Sequence, residues 1–465
     1  MAFWDMNSVS SNATALFTEN ETFSYGRLAS LADEIAEAAR PGGVVLFVAS
    51  NSAASIAGYL GLLRAGAVPL MVSGQAPPDT VEELDAAYLP EFAWGPVGSP
   101  VLSGGKVVCH LDDYVLVRLR AFQGDLHPDL ALLLPTSGST GSPRYVRASR
   151  ENLQSNAESI ASYMALAPED TALTTLPFSY SYGISIVNSH FQAGGSLAVT
   201  DRSLMERGLW DMLSEARVTN FGGVPYTYKM LERLRFARME FPTLRFVTQA
   251  GGGLGERLHE SFARACAAKN VGFMVMYGQT EATARMSYLP FERALDKIGS
   301  IGIAIPRGTL RLEREDGTVI ASSGEVGELV YEGPNVTMGY ATCRGDLALG
   351  DELGGVLHTG DTARFDEEGF YYIEGRKNRF LKVFGNRVGL DDLERALTAH
   401  GLSAACAGED DRVDVYVEEN GEQKAKAILP ALTGLSASAF NVVAIEKLPR
   451  SESGKVLYAR LREDR

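Results

Sequence analysis

Over the first three hundred residues, short unbroken apolar runs alternate with stretches whose apolar positions recur every three to four residues. Residues 43–48 and 67–72 have the length and β-branched content of buried strands, and 52–63 between them carry a helical pattern. Strand, helix, strand in that order predicts parallel sheets covered by helices. The rhythm returns at 131–134, followed by a predicted helix over 152–164 whose Leu153, Ala157, Ile160, Ala161 and Met164 share one face. It returns once more at 246–248, with a helix over 256–268 and a strand over 273–276. Beyond Gly299 the texture changes. Strands predicted over 310–312, 328–332 and 369–374 are separated by glycine-, proline- and acid-rich turns, the pattern of a small β-rich subdomain. A short α+β piece follows Arg376, with a helix over 390–397 and an alternating strand over 413–417.

The 465 residues suffice for about three compact units at ~150 residues each. Apolar residues make up 45% and charged residues 22%, which supports several buried cores and excludes a disordered, collagen-like or disulfide-stapled chain. A net charge of −15 repels polyanions, so neither nucleic acid nor an anionic membrane is an expected partner. The longest nearly uncharged apolar stretch, 53–63, is too short to cross a bilayer and reads as a core helix. The N-terminus shows no signal-peptide pattern. Cys109, Cys266, Cys343 and Cys406 are scattered without zinc-site or disulfide spacing, which points to a reducing, cytoplasmic setting. The six histidines form no HxH or HExxH pattern and no GxSxG elbow is present, so hydrolase readings have no support.

The strongest local signal is Thr136-Ser137-Gly138-Ser139-Thr140-Gly141-Ser142-Pro143-Arg144, between a predicted strand and a predicted helix. Its glycines let the backbone approach a ligand, its hydroxyls and N–H groups can surround phosphate oxygens, and Arg144 adds charge. The spacing is not that of a Walker loop. The same composition also describes a flexible surface loop. Gly251-Gly252-Gly253 likewise permits close ligand approach and is equally compatible with a plain turn.

The 136–144 loop resembles the phosphate loop of the adenylate-forming superfamily, the acyl-CoA synthetases and other AMP-dependent synthetases and ligases. Further motifs of that family follow in order. They are Tyr277-Gly278-Gln279-Thr280-Glu281, Thr359-Gly360-Asp361, Gly375-Arg376 opening a hinge-like stretch, and a lysine motif over 449–455. Weaker likeness at Phe23-Ser24-Tyr25 and at 65–70 extends the resemblance over nearly the whole chain. It implies one reaction: a carboxylate attacks the α-phosphorus of ATP, pyrophosphate leaves, and acyl-AMP is held for a second nucleophile. By this resemblance Thr136, Ser137, Gly138, Ser139, Thr140, Gly141 and Arg144 bind phosphate, and Thr280 hydrogen-bonds the α-phosphate. Glu281 holds Mg²⁺, as a hard oxygen ligand suits. Tyr277 stacks on adenine with Gly278 beside it, Gly251 and Gly252 lie between adenine and acyl group, and Asp361 and Arg376 take the ribose. Lys455 bridges carboxylate and phosphate oxygens from a mobile C-terminal domain. Read alone, Tyr277 is a core aromatic, Asp361 a turn residue, and Arg376 and Lys455 solvated surface charges.

The chain departs from the family at three places. Arg144 replaces the usual lysine, Asn378 stands at the hinge where an acid or lysine is usual, and Arg379 follows it. In addition the C-terminal part is short. The segment 177–183 matches the lining of the family's carboxylate pocket, and residues 171–200 contain no acid to pair with an α-ammonium. Burying that ammonium unpaired is costly, so a carboxylic acid without an α-amino group is expected. Tyr180, Tyr182, Tyr226 and Gly253 are the candidate pocket walls, with core packing as the alternative for each tyrosine.

The expected fold class is α/β, with a large N-terminal region of two wound α/β subdomains plus a β-rich one, residues 1–377. A small mobile C-terminal α+β domain, 378–465, completes it. The expected activity is ATP- and Mg²⁺-dependent formation of acyl-AMP, then transfer to CoA or to a phosphopantetheinyl carrier protein. A non-catalytic adenylate-binding protein is the reading from another class. Pivoting at Asn378 requires one peptide to change its dihedrals strongly, which Asn tolerates and proline obstructs. Asn378→Pro is therefore expected to leave ATP–pyrophosphate exchange mostly intact and to slow thiol transfer strongly. A folded variant with both half-reactions undisturbed shows that the chain does not pivot there.

Overall fold

The computed structural model describes all residues except 1, 41, 123, 137–143, 378, 384–385, 410, 419–420, 434, 452–453, 459 and 464–465. The chain divides into two compact units. The first comprises residues 1–298, 302–309 and 331–357, the second 299–301, 310–330 and 358–465. The β-rich stretch after Gly299, expected within a 1–377 domain, thus groups largely with the C-terminal piece.

The first unit is built on two sheets. One has six parallel strands at its centre, in the order Gly272–Tyr277, Phe246–Gln249, Asn220–Gly223, Thr171–Leu173, Ser196–Ala198 and Thr14–Phe17. Antiparallel strands close its edges, Thr22–Ser24 on one side and Ser287–Tyr288 then Ile303–Ala304 on the other. In the other sheet, Leu130–Pro135, Val68–Ser73, Val44–Ala49 and Phe92–Pro96 are parallel. Tyr145–Ser149 and Tyr340–Ala341 extend it antiparallel beyond Leu130–Pro135, and Tyr114–Arg118 with Lys106–Leu111 beyond Phe92–Pro96. The central strands are buried on both faces, and so they are legible as continuous apolar runs.

The apolar stretch at 53–63 is the helix Ala53–Ala65, capped by the Ser52 hydroxyl on Ser55 N–H and ended by left-handed Gly66. It is buried along its whole length from Ala54 to Leu63, which explains its lack of charge. A Cβ at Gly61 would lie 2.6 Å from the Ala32 carbonyl of helix Tyr25–Ala38, so the small residue sets how closely these helices pack. Among the described residues no helix is long and apolar enough to cross a membrane.

The helix predicted over 152–164 is Arg150–Tyr163. Leu153, Ala157 and Ile160 are buried as expected, but so are Asn152, Ser155, Asn156 and Ser159. Its polar side is not a solvent face. Asn152 completes a capping box with Ser149 and also donates to the carbonyls of Pro334 (2.8 Å) and Val336 (2.7 Å). Buried polar groups must be paired: Asn152 is paired with a distant loop, Asn156 with the Arg285 carbonyl and Ser159 with the Pro306 carbonyl.

In the second unit, strands Val319–Ile320, Thr309–Glu313, Gly327–Glu332, Val356–Phe365 and Tyr371–Arg376 form a five-stranded sheet. After it come the hairpin Phe380–Val383 and Asn386–Gly389, and a sheet of Ala404–Glu409, Arg412–Glu418 and Phe440–Ile445. Helices Leu390–Ala399 and Glu422–Thr433 contribute Leu393, Leu397, Ala425 and Leu429 to a core with Val413, Val415 and Val417.

Arg147 shows how the phosphate-loop strand is tied to the segment carrying Tyr340. Its fully buried guanidinium donates to the carbonyls of Tyr340, Met338 and Leu349 and to Glu352. Removing it strands several buried acceptors, so Arg147→Ala is expected to cost about 3–5 kcal/mol of stability in denaturant unfolding. The Glu352 side chain is 54% exposed, and Glu352→Gln should cost less than about 1 kcal/mol. Equal losses in the two variants contradict this picture.

Candidate active site

Strand Gly272–Tyr277 ends in a tight turn that carries the Tyr-Gly-x-Thr-Glu residues. At Gly278 a Cβ would land on the backbone carbonyl of Ala284, so glycine is required for the turn to close. A 3₁₀ turn Thr280–Ala282 follows, and then Thr283 and Ala284 at φ 49° and 91°. Left-handed backbone at a β-branched residue is strained, and such strain persists only where surrounding bonds fix it. Here Asn335, buried at 2% exposure, donates to the carbonyls of Ala282 (2.8 Å) and Arg285 (2.9 Å), while Thr283 Oγ1 donates to the Asn335 carbonyl. The N–H of Thr337 donates to the Glu281 carbonyl at 2.9 Å.

This frame presents Glu281 to the ring of Tyr340, whose hydroxyl donates to Glu281 Oε1 at 3.0 Å. The Arg144 guanidinium lies over the same ring, 3.4 Å from its centre. One phenol therefore sits between the last residue of the phosphate loop and the expected metal ligand. Burial, then the Glu281 charge, pushes the Tyr340 hydroxyl up to about 12, against the opposing pull of Arg144. The phenol remains a proton donor across the physiological range. Thr280 Oγ1 lies 3.2 Å from Ser181 Oγ at the start of helix Ser181–Ala193, and Gln279 donates to the Tyr277 hydroxyl at 3.3 Å.

Ser137, Gly138, Ser139, Thr140 and Gly141 of the expected phosphate loop lie outside the described residues, as does the expected hinge Asn378. The loop's ends are described: Thr136 N–H and Oγ1 both approach the Arg144 carbonyl at 3.4 Å. Gln249 Nε2 holds the glycine turn through the carbonyls of Gly252 (2.8 Å) and Ala250 (3.2 Å). Gly251 is at φ 82°, and a Cβ there would stand 2.8 Å from the Tyr180 hydroxyl; Gly253 faces open space. Of the expected pocket walls, Tyr182 is fully enclosed with its hydroxyl 2.8 Å from Thr248 Oγ1, Tyr180 is half-buried, and Tyr226 is 43% exposed. Burial pushes both the Tyr180 and the Tyr182 hydroxyls up to about 12.

In the second unit, Asp361 is buried on strand Val356–Phe365, and its carboxylate meets Arg376 Nε at 3.2 Å across the strand pair. Lys377 pairs with Glu328 at 2.8 Å. Lys455 sits in a loop closed by Ser451 N–H on its carbonyl and by its own N–H on Ser451 Oγ. Arg379 is no loose surface charge: it meets Asp391 and Glu394, donates to the Tyr458 hydroxyl and packs its guanidinium on that ring. Burial opposes its charge, but Glu394 and its neighbours raise its pKa further.

Among the described residues no group of three or more His, Cys, Asp or Glu could hold a metal alone. One carboxylate sharing a cation with a polyphosphate is what the donor set can offer, and Glu281 suits Mg²⁺ in that role. The positions that sequence reasoning did not single out are Tyr340, Asn335 and Arg285. Gly333 to Tyr340 is legible as a glycine- and proline-bearing loop, but the partners of Tyr340 are about sixty and two hundred residues away in the chain.

Two wound sheets and a glycine-locked turn carrying a single carboxylate form the frame of the candidate site, and it has counterparts among known proteins. The AMP-binding enzyme family model matches residues 113–341. The 2-succinylbenzoate–CoA ligase of Geobacillus sp. (strain WCH70) is 32% identical over 274 residues, 58% of this chain and 54% of that one. The chain thus spans about half the length of that relative. It covers 77% of the 2-succinylbenzoate–CoA ligase of Bacillus thuringiensis subsp. konkukian at 28% identity over 83% of itself, and 65% of the indoleacetate–CoA ligase of Aromatoleum aromaticum at 28% over 70%. The fold superposes on Bacillus subtilis o-succinylbenzoate CoA synthetase in complex with its acyl-adenylate (TM-score 0.80, 19% identity, 99% and 98% of the two chains). It also superposes on ATP-bound MatB from Rhodopseudomonas palustris (TM-score 0.76, 22% identity, 99% and 98%). Over the matched segment, just under half of its length, the chain is similar to the AMP-binding enzymes.

The two glycine positions separate turn geometry from ligand contact. Gly278→Ala forces backbone against backbone and is expected to lower AMP affinity at least about tenfold in calorimetry, equivalent to about 1.4 kcal/mol. Gly253→Ala should change stability by no more than about 0.5 kcal/mol, its effect falling on KM for the acid. Normal AMP binding by Gly278→Ala contradicts the turn's role.

Proposed function

We propose that this chain couples ATP cleavage to activation of a carboxylic acid as acyl-AMP, releases pyrophosphate, and passes the acyl group to the thiol of CoA. The observation carrying the proposal is the seam of Arg144, Tyr340 and Glu281, which brings the end of the phosphate loop and a lone carboxylate onto one ring. Attack on the α-phosphorus brings two anions together, so catalysis rests on positive charge and positioned donors. Arg144 supplies charge at the phosphates, Thr280 offers a hydroxyl to the α-phosphate, and Tyr340 orients the Glu281 carboxylate. Mg²⁺, when held by Glu281, offsets phosphate charge. Tyr277 is assigned to adenine, Asp361 and Arg376 to the ribose, and Lys455 to the oxygens on which charge develops.

The acid lacks an α-amino group, a reading supported by the absence of any acidic side chain from residues 171–200. The relatives' names agree in kind, since 2-succinylbenzoate and indoleacetate carry no amino group. CoA is favoured over an acidic carrier protein because a chain of net charge −15 repels one. A reducing cytoplasm suits the four unpaired cysteines.

Acid-dependent ATP–pyrophosphate exchange tests the activity, and its absence across a broad panel of acids favours an adenylate-binding protein without catalysis. Lys455→Ala is expected to lower exchange by about 10²–10³-fold, the size of effect seen when a donor to developing charge is removed. Thioester formation from supplied acyl-AMP should survive in the same variant. Equal losses in both half-reactions contradict the role given to Lys455.

A further inference from the structure

Arg144 and Glu281 carry opposite charges and address the same ring, yet no ion pair joins them among the described residues. The guanidinium lies over the face of Tyr340, and the carboxylate accepts from its hydroxyl. The backbones that present these groups are fixed. Tyr340 pairs with Val146 across the antiparallel ladder, two residues past Arg144, and its carbonyl accepts from the buried Arg147. The Glu281 carbonyl accepts from the Thr337 N–H, and the turn that follows it is held by Asn335. What remains adjustable is the long, exposed Arg144 side chain.

A guanidinium within reach of a carboxylate closes on it through two parallel bonds. In this site such a pair would do harm twice, since it would neutralise the carboxylate suited to a cation and withdraw positive charge from the phosphates. The ring offers an alternative. Its face takes the planar guanidinium, and its hydroxyl takes the carboxylate. The lysine usual at this position in the family would lay no plane on the ring, so the need for a spacer comes with this chain's arginine.

We propose that Tyr340 is a positioning residue that stands between Arg144 and Glu281, reserving the guanidinium for the phosphates and the carboxylate for Mg²⁺. This rests on the acid-activating reading above and goes beyond it, because it couples the arginine that departs from the family to the tyrosine that keeps it harmless.

The test measures the metal's share of nucleotide binding, without turnover. Affinity for α,β-methylene-ATP is titrated by calorimetry in Mg²⁺ and in EDTA, and the ratio of the two is compared among variants. The wild type should bind at least about tenfold tighter with Mg²⁺, equivalent to about 1.4 kcal/mol. Tyr340→Phe keeps the ring and should stay within about threefold of the wild-type ratio. Tyr340→Leu removes the ring and should bring the ratio to within about threefold of one, as Arg144 closes on Glu281. Adding Arg144→Gln to that variant should restore most of the ratio, a rescue that a merely structural role of Tyr340 does not produce. Arg144→Gln alone should weaken both affinities while holding their ratio within about threefold, because the ring already separates the charges.

A wild-type ratio in Tyr340→Leu overturns the proposal, and so does a double variant no better than Tyr340→Leu. A loss in Tyr340→Phe as large as in Tyr340→Leu overturns it too, by assigning the effect to the hydroxyl. A gain of about tenfold or more from Arg144→Gln alone overturns it without requiring a Tyr340 variant to fold. An unchanged ratio in Glu281→Gln, or no effect of Mg²⁺ on the wild type, overturns instead the metal role of Glu281 and the proposal with it. No binding of the analogue overturns the nucleotide reading itself.

Discussion

The side-chain amide of Asn335 donates to the carbonyls of Ala282 and Arg285, and on this pair of bonds the candidate site depends. The residues between those carbonyls take left-handed dihedrals that Thr and Ala resist, so the turn holds its shape only while the amide holds both ends. Asn335 is itself oriented by the Tyr331 hydroxyl at 2.7 Å, and the neighbouring Pro334 and Val336 carbonyls accept from Asn152. Asn152 in turn caps the helix that follows the phosphate loop. One network of buried amides thus links three segments far apart in the chain. All of these polar groups are away from water, so losing one member leaves its partners unsatisfied and costly.

That rigidity suits the electrostatic problem of the proposed reaction. A carboxylate and a triphosphate repel, and donors that must reorganise at the moment of attack stabilise little; donors already aimed stabilise much. The Arg144–Tyr340–Glu281 seam places cation, neutral donor and carboxylate in fixed order on one ring. Arg144 in place of the family's lysine makes sense in this light, because a planar guanidinium stacks on an aromatic face where an ammonium makes only a point contact. In the second unit, the unusual Arg379 is locked to Glu394, Asp391 and Tyr458, which anchors the chain immediately after residue 378.

The central strands and the helix Ala53–Ala65 were readable because burial on all sides leaves an unbroken apolar run. The strands Tyr114–Arg118 and Lys106–Leu111 were not, since both are short and joined by a turn at Asp112, φ 51°, that no glycine announces, and the second is a partly exposed edge. Helix Arg150–Tyr163 was placed to within two residues from its apolar face, but the burial of its polar side was not anticipated, because periodicity cannot distinguish water from a buried carbonyl as partner. Motif residues such as Thr280 and Glu281 were singled out by the resemblance of 277–281 to a family motif. Tyr340, Asn335 and Arg285 were not, since their meaning lies in contacts across the chain: a tyrosine between a cation and a carboxylate looks like any other until its surroundings are known.

The central claim is that a carboxylate oxygen attacks the α-phosphorus of ATP. Acid labelled with ¹⁸O in its carboxylate, turned over with ATP and CoA and followed by mass spectrometry, tests this directly. Acyl-adenylate chemistry predicts that AMP carries one ¹⁸O from the acid when the thiol displaces it. Label appearing in inorganic phosphate alongside ADP would place the attack at the γ-phosphorus, and unlabelled AMP would mean that acid and nucleotide are never joined; either result contradicts the account.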